Sequence, residues 1–170
     1  MDFFRAPNIA DPQADQLASE LVFLPDWQTA DWDLFLEHTQ TQMFPPGSFI
    51  FRAGSAERVL YIVAFGRLKM LVNRNKRLPR FKLMGTKKPA SINIIESGAV
   101  INELTFLDGK PGPATFQAIT ETQLIYLPYD AFNLFASLYP ELARDVLQDL
   151  GRLLAVQTRR LTDLVSYYTE

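Results

Sequence analysis

The spacing of hydrophobic residues changes along the chain and separates helical from strand-forming regions. In residues 27–39, Trp32, Phe35 and Leu36 recur at helical spacing, which predicts a short helix with Asp26 as its capping residue. From residue 41 onward, short runs rich in Phe, Ile, Val and Tyr alternate with glycines, a pattern typical of strands joined by tight turns. About eight strands of this kind indicate a closed or double-sheet β structure. The predicted strands are residues 41–44, 48–52, 59–65, 67–72, 80–84, 91–95, 114–119 and 123–127.

The C-terminal part of the chain returns to helical spacing. Pro128 is expected to open a short helix that runs through Leu138, and Pro140 lies at the start of a longer one. Proline suits a first helical turn because the N–H that it lacks would have no partner there.

A heptad repeat in this longer helix gives a candidate seam in which all positions but Gln157 are apolar. This stripe could pack on the chain's own β domain. Alternatively, it could form a two-helix seam between chains, with Gln157 setting the register. A second apolar set flanks the stripe, so one helix could contact both the β domain and a partner chain. We favour a homodimer. The seam positions are Leu147, Leu150, Leu154, Gln157, Leu161, Leu164 and Tyr168.

Composition narrows the class of protein. A length of 170 residues, of which 48% are hydrophobic, predicts one domain with a sizeable core. The chain has no Cys and a single His, His38, which excludes disulfides, thiolate metal sites and multi-His metal sites. The longest apolar run, residues 59–65, is far shorter than the roughly 20 residues of a membrane span. The N-terminus also lacks the pattern of a secretory signal, so we expect a cytoplasmic protein.

Charge is distributed unevenly, although the net charge is only −2. No Asp or Glu lies between Glu57 and Glu96, and this stretch holds more than half of the Lys and Arg residues. The chain is therefore an acidic body with a basic middle.

Several glycine-punctuated segments carry a more specific signal through their order and spacing. They are residues 46–54 (PGSFIFRAG), 60–70 (LYIVAFGRLKM), 98–104 (GAVINEL), 114–118 (ATFQA) and 124–127 (LIYL), followed by Phe132. Together they resemble the cyclic nucleotide-binding domain of the catabolite activator protein (cAMP receptor protein) family. The resemblance implies a mainly β fold with flanking helices: an eight-stranded antiparallel jelly roll plus a long C-terminal dimerisation helix.

On this resemblance, we expect three regions. Residues 1–21 would form a flexible N-terminal arm, residues 22–138 the β roll, and residues 139–170 the C-terminal helix. The chain ends at Glu170, where transcription factors of the family continue into a winged helix-turn-helix. We therefore expect no winged-helix DNA contact.

The resemblance also assigns a ligand site, the phosphate-binding cassette. In the family, the Glu of this cassette binds the ribose hydroxyl, and an Arg some nine residues later binds the cyclic phosphate. Here Glu103 matches the ribose carboxylate. Asn102 replaces the usual glycine and is expected to keep the turn, since Asn tolerates a positive φ. The candidate ligand-binding residues are Asn102, Glu103, Leu104, Gly112, Pro113, Ala114 and Thr115.

The phosphate side of this cassette departs from the family pattern. Gly112 stands where the Arg belongs, and Pro113 has no N–H to point at a phosphate. A charge-assisted hydrogen bond contributes about 1.5–3 kcal/mol, so its loss predicts roughly ten- to a hundred-fold weaker binding. We therefore expect weak or no binding of cyclic AMP or cyclic GMP. Lys110 could supply a point charge in place of the Arg.

The basic loop at residues 74–88 allows two interpretations. It could be a solvated loop, or it could bind an anion larger than a cyclic mononucleotide. Candidates are a cyclic dinucleotide, nucleic acid, an anionic membrane surface or an acidic protein partner. Its candidate binding residues are Arg74, Lys76, Arg77, Arg80 and Lys82.

These observations predict a regulatory or sensor module rather than an enzyme. Ser48, Ser55 and Ser91 lack the context of a nucleophile elbow, and His38 is expected to be a surface or helix-end residue. We expect no cofactor, and a cyclic nucleotide is the candidate ligand. The alternatives are a ligand-free protein-interaction adaptor that uses the basic loop and the dimer surface, and a receptor for a larger anion such as a cyclic dinucleotide.

Overall fold

The computed structural model describes residues 22–72 and 90–167, with only the backbone of residues 90–92 and 164–167. The predicted N-terminal arm, the predicted strand 80–84, the candidate residues of the basic loop and Tyr168 lie outside these residues. In the described part of the chain, no helix combines the length and hydropathy that crossing a bilayer requires.

Eight strands in the described residues form two four-stranded antiparallel sheets. Their order is β1-β8-β3-β6 in one sheet and β2-β7-β4-β5 in the other. This arrangement confirms the mainly β fold with flanking helices. The strands are β1 (Gln40–Phe44), β2 (Phe49–Phe51), β3 (Val59–Phe65), β4 (Leu68–Val72), β5 (Ala90–Ile95), β6 (Val100–Ile101), β7 (Ala114–Ala118) and β8 (Thr122–Pro128).

Four helices flank the sheets. They are α1 (Thr29–Leu36), α2 (Glu103–Asp108), α3 (Tyr129–Leu138) and α4 (Pro140–Tyr167). The start of α3 directly after Pro128 and the start of α4 at Pro140 agree with the helical spacing and with the preference of proline for helix starts.

Two local predictions need correction. The expected cap at Asp26 is wrong, because α1 begins at Thr29 and the Asp31 carboxylate accepts the Gln28 N–H at 3.0 Å. Asp31 supplies the carboxylate from within the first turn, so a cap further upstream is not needed. The strand β6 was not predicted, since two residues are too few to show an alternating pattern.

Strand β3 is covered on both faces, which explains its continuous apolar run. Leu60 and Ile62 belong to a buried cluster formed with the helices, and Val63 belongs to a second cluster between the sheets. Successive side chains of a strand point to opposite faces, so a strand between two layers needs apolar residues at every position. The β roll therefore has an inner core and an outer core shared with the helices.

The N-terminal end of the described chain is attached to α4 by polar contacts. The Asp149 carboxylate accepts the Leu24 N–H at 2.7 Å, and Arg152 Nη2 donates to the Val22 carbonyl at 2.7 Å. Arg152 also pairs with Asp149 one turn earlier on the helix. These contacts direct Phe23 and Leu24 into the outer core.

We predict that Gly66→Ala strongly destabilises the fold. Gly66 has a φ of +93°, and an added Cβ would lie 2.6 Å from Thr122 Oγ1 and 2.7 Å from Thr122 Cα. Backbone strain and overlap together should lower the free energy of unfolding by about 2–4 kcal/mol, measured by urea denaturation. Gly54→Ala is the matched control, since its φ is +91° but nothing lies within 4 Å of its added Cβ. An equal loss in both variants would contradict the role of the close contact.

Candidate functional site

The turn between β6 and α2 gives the site its shape. Asn102 has a left-handed φ of +68°, as expected from its residue type. Its side-chain amide donates to the carbonyls of Glu57, at 3.1 Å, and Val59, at 2.7 Å. The asparagine thus does more than tolerate the conformation, because its side chain ties the turn to the start of β3.

Glu103 follows this turn as a buried carboxylate. Its side chain lies at the first position of α2, and the residue is only 8% exposed. Burial raises the pKa of Glu103, while hydrogen bonds from its own backbone and from the side chain of Gln157 act in the opposite direction. None of the salt bridges among the described residues involves Glu103.

Gly112 and Pro113 offer no free backbone donor. The Gly112 N–H donates to the Ser55 carbonyl at 2.9 Å, and the Gly112 carbonyl accepts the Gly54 N–H at 2.8 Å. Thr115, a little further along, accepts the Ala53 N–H on its Oγ1 at 2.9 Å. This segment is therefore held against the turn at residues 53–55, and its polar groups are already used within the chain.

Thr105 adds a polar atom beside Gly112. Its Oγ1 is buried and has no hydrogen-bond partner among the described residues. A Cβ built on Gly112 would lie 3.1 Å from this hydroxyl. The sequence did not single out Thr105, since a threonine on a short helix carries no distinctive signal.

Two described cations close to α2, Lys110 and Arg58, already have partners within the chain. The Lys110 ammonium is 3.9 Å from Asp108 and its side chain is 80% exposed. Arg58 Nε donates to the Phe106 carbonyl at 3.0 Å, and its Nη2 donates to the Leu107 carbonyl at 3.1 Å. The Arg58 guanidinium also lies over the Tyr129 ring, 3.2 Å from its centroid. Arg58 thus satisfies carbonyls at the C-terminal end of α2 and connects this helix to α3.

The structure divides the predicted heptad stripe between two environments. Leu150 is fully buried in the outer core, and Gln157 is half-buried. In contrast, Leu147 is 44% exposed and Leu161 is 64% exposed. Leu154 is half-buried, and only the backbone of Leu164 is described. The dimer seam stays a prediction. Among the seam side chains that the structure describes, Leu147 and Leu161 leave the most apolar surface exposed.

Two candidate ligand-binding residues remain, Leu104 and Ala114. Leu104 is exposed on α2, and Ala114 is buried at the start of β7. His38 lies just beyond the end of α1, with its Nδ1 3.0 Å from the Leu34 carbonyl.

Comparison with known proteins agrees with this geometry. The family model described as the cyclic nucleotide-binding domain matches residues 41–138, more than half of the chain. The chain belongs to the cyclic nucleotide-binding domain family. The matched region contains both sheets, the cassette and α3, and the earlier resemblance is confirmed.

Individual members of the family show moderate similarity. The cyclic AMP receptor protein of Thermus thermophilus is 27% identical over 135 residues, which cover 79% of this chain and 57% of that protein. A CRP-like cAMP-activated global transcriptional regulator of Mycobacterium tuberculosis is 28% identical over 124 residues, covering 72% of this chain and 50% of that protein. The chain spans about half the length of the curated relatives it matches.

Comparison with a solved structure confirms the fold. A cyclic nucleotide-binding domain from Methylobacillus flagellatus superposes with a TM-score of 0.72 at 21% identity. The superposition covers 92% of this chain and 86% of that one.

We predict that Glu103→Gln stabilises the protein at neutral pH. Because burial raises the pKa of Glu103, the stabilisation associated with its protonated form is lost as the pH rises through that raised pKa. The neutral amide avoids this loss. The melting temperature of the variant should exceed that of the unchanged protein by at least about 2 °C at pH 7, and the difference should disappear near pH 4.

Glu37→Gln is the control for this measurement, because Glu37 is exposed at the end of α1. It should show no such pH-dependent difference. A Glu103→Gln variant that melts below the unchanged protein at pH 7 would mean that the ionised carboxylate is better solvated than its burial implies.

Proposed function

We propose that this chain is a regulatory ligand-binding module of the cyclic nucleotide-binding domain family that has kept the carboxylate side of the pocket and altered the phosphate side. The observation that carries the proposal is the state of Gly112 and Pro113. The N–H of Gly112 is already bonded to Ser55, and Pro113 has none. No charged donor stands at the position where the family places its arginine.

The expected effect on affinity follows from this donor set. A phosphate that loses a charge-assisted hydrogen bond binds about 1.5–3 kcal/mol less tightly. A buried Glu103 carboxylate also repels an anion, because no described cation pairs with it. Cyclic AMP and cyclic GMP should therefore bind weakly, although relatives of this chain are named for cyclic AMP.

We infer a regulatory and not a catalytic role for the module, acting in the cytoplasm and needing no cofactor. Support comes from the positions of the chemistry-bearing residues. His38 packs between Phe135 and Tyr139, with ring centroids 5.4 Å and 6.0 Å away, so it is part of an aromatic cluster. In the described residues, no group of His, Asp and Glu has the arrangement of a metal site.

A homodimer is the partner that the surface of α4 favours. Leu147 and Leu161 are two heptads apart on one line of this helix, and both are substantially exposed. Repeated exposed leucines at heptad spacing are typical of a two-helix seam. The adaptor function would use the same surface, and its other candidate surface, the basic loop, lies outside the described residues.

We predict that Gly112→Arg restores binding of cyclic AMP. The new guanidinium would supply the missing charge, and the Cβ of the new side chain would lie 3.1 Å from the Thr105 hydroxyl, which would have to shift slightly. Affinity measured by isothermal titration calorimetry should rise about ten- to a hundred-fold and should fall with increasing salt. Gly112→Gln is the matched control, since it adds similar bulk without charge, and it should leave affinity unchanged. Tight binding of cyclic AMP by the unchanged protein would disprove the proposal.

We also predict that Leu161→Glu prevents dimerisation. Like charges placed opposite each other across a seam repel, so sedimentation velocity should show a shift from dimer to monomer, with a dissociation constant raised at least about ten-fold. Leu134→Glu serves as the control, since Leu134 is 56% exposed but lies on α3. If both variants remain dimeric, the seam does not involve this face of α4.

A further inference from the structure

One face of the sheet formed by β2, β7, β4 and β5 lies away from both buried clusters. Leu68 of β4 belongs to the inner core, so the next residue, Lys69, points to the opposite side. Residues that are paired on neighbouring strands share a face. The register therefore places four residues in one row across this outward face: Phe49, Gln117, Lys69 and Ile94.

Large apolar side chains are exposed on the outward face. Ile94 is 59% exposed, and Phe49 is 38% exposed. Leu71, two positions after Lys69 on β4, is half-buried, and Ile119, at the end of β7, is exposed. These apolar residues belong to neither buried cluster. A solvated face of an antiparallel sheet is normally polar, so a group of apolar side chains here indicates a surface for contact.

Cations accompany these apolar side chains. The Arg52 guanidinium lies over the Phe49 ring, 3.7 Å from its centroid. Arg67 directly precedes β4, and its carbonyl accepts the Ile119 N–H at 2.8 Å. None of the salt bridges among the described residues involves Arg52, Arg67 or Lys69. The outward face thus combines apolar surface with positive charge that is not held in ion pairs of the described chain.

The charges at the two ends of this sheet differ. Glu96 follows β5 and Glu121 follows β7, both at the end where β4 begins. At the opposite end, β4 and β5 are joined by the stretch that contains the basic loop at residues 74–88. By sequence, this loop holds seven Lys and Arg residues and no Asp or Glu. Positive charge therefore continues beyond the outward face on the side of the loop.

The combination of charge and apolar surface decides between possible partners. A second copy of this chain would place cations against cations, which opposes pairing of two outward faces. A nucleic acid would neutralise the charge but would leave Ile94 and Ile119 without apolar contacts, since bases stack on aromatic rings. A membrane surface with anionic lipids offers both a negative potential and an apolar boundary beneath the headgroups.

We propose that the outward face is a peripheral membrane-binding surface for bilayers that contain anionic lipids. In the bound state, the side chains of Phe49, Ile94 and Ile119 enter the boundary between headgroups and acyl chains, and Lys69 and Arg52 lie among the headgroup phosphates. The inference goes beyond the proposed function, because it does not depend on what the cassette binds.

Binding to vesicles tests the proposal directly. In cosedimentation, the unchanged protein should bind vesicles of phosphatidylcholine with about one third phosphatidylserine far more tightly than vesicles of phosphatidylcholine alone. Raising NaCl from about 0.1 M to about 1 M shortens the Debye length from about 10 Å to about 3 Å and should weaken this binding at least about ten-fold. Absence of binding to the anionic vesicles at low salt would overturn the proposal.

A charge reversal locates the cationic part of the surface. Lys69→Glu changes the charge by two units, and each unit contributes about five-fold in affinity, so binding to the anionic vesicles should weaken about 25-fold. Lys69→Gln removes one unit and should show about a five-fold effect. Arg159→Glu is the matched control, because it makes the same reversal at an exposed position of α4 and should bind nearly like the unchanged protein.

A second substitution isolates the apolar part. Ile94→Ser should weaken vesicle binding about ten-fold, since an aliphatic side chain no longer leaves water. Leu134→Ser is the matched control, because Leu134 is 56% exposed, close to the 59% of Ile94, but lies on α3. Both changes are at the surface, so both variants should melt at nearly the temperature of the unchanged protein.

A fluorescent label reports insertion into the bilayer. The chain has no Cys, so one introduced cysteine can carry an environment-sensitive fluorophore at a single position. The emission of labelled Ile119→Cys should shift to shorter wavelength when the anionic vesicles are added, because the label enters an apolar environment. Labelled Leu134→Cys should show no such shift.

Three results would overturn the inference even if the protein binds vesicles. The first is vesicle binding that Ile94→Ser does not weaken, and the second is binding without a spectral shift at position 119. Either result would mean that charge alone attracts the protein, as the basic loop could do. The third is tighter binding to a duplex DNA oligonucleotide than to the vesicles, reduced by Lys69→Glu, which would identify a nucleic acid as the partner of this face.

Discussion

The buried carboxylate of Glu103 restricts which chemical groups can lie next to it. Glu103 accepts hydrogen bonds and donates none, so its neighbours must supply donors or be apolar. The turn at Asn102 places Glu103 at the first position of α2, where its carboxylate is buried and takes part in none of the salt bridges among the described residues.

The cassette is connected to the rest of the helical layer by packing. Phe106 of α2 lies 5.4 Å from the ring of Tyr129 and 5.5 Å from that of Phe132, both on α3. Arg58 bonds to the α2 carbonyls and covers the Tyr129 ring, so polar and apolar contacts join the same two helices. A shift of α2 would therefore disturb α3 through close-packed aromatic rings, which deform little under strain.

Much of the fold could be predicted from sequence because the strands either alternate apolar and polar residues or bury their side chains on both faces. The apolar run at β3 and the prolines at the starts of α3 and α4 are local signals, and they located these elements well. The strand β6 was missed since pairing with β3, and not its own pattern, makes its two residues a strand. The cap of α1 depends on which of two nearby carboxylates reaches the Gln28 N–H, and that choice is made by geometry.

Less of the candidate site than of the fold could be predicted from the sequence. The residue types at Gly112 and Pro113 indicate which donors are missing beside Glu103, because glycine has no side chain and proline has no N–H. The sequence does not reveal that Ser55 already accepts the Gly112 N–H, or that Arg58 faces carbonyls at the far end of α2. A heptad pattern likewise identifies an apolar stripe without saying which partner covers each side. In α4 the side with Leu150 and Gln157 faces its own domain, while the side with Leu147 and Leu161 stays exposed.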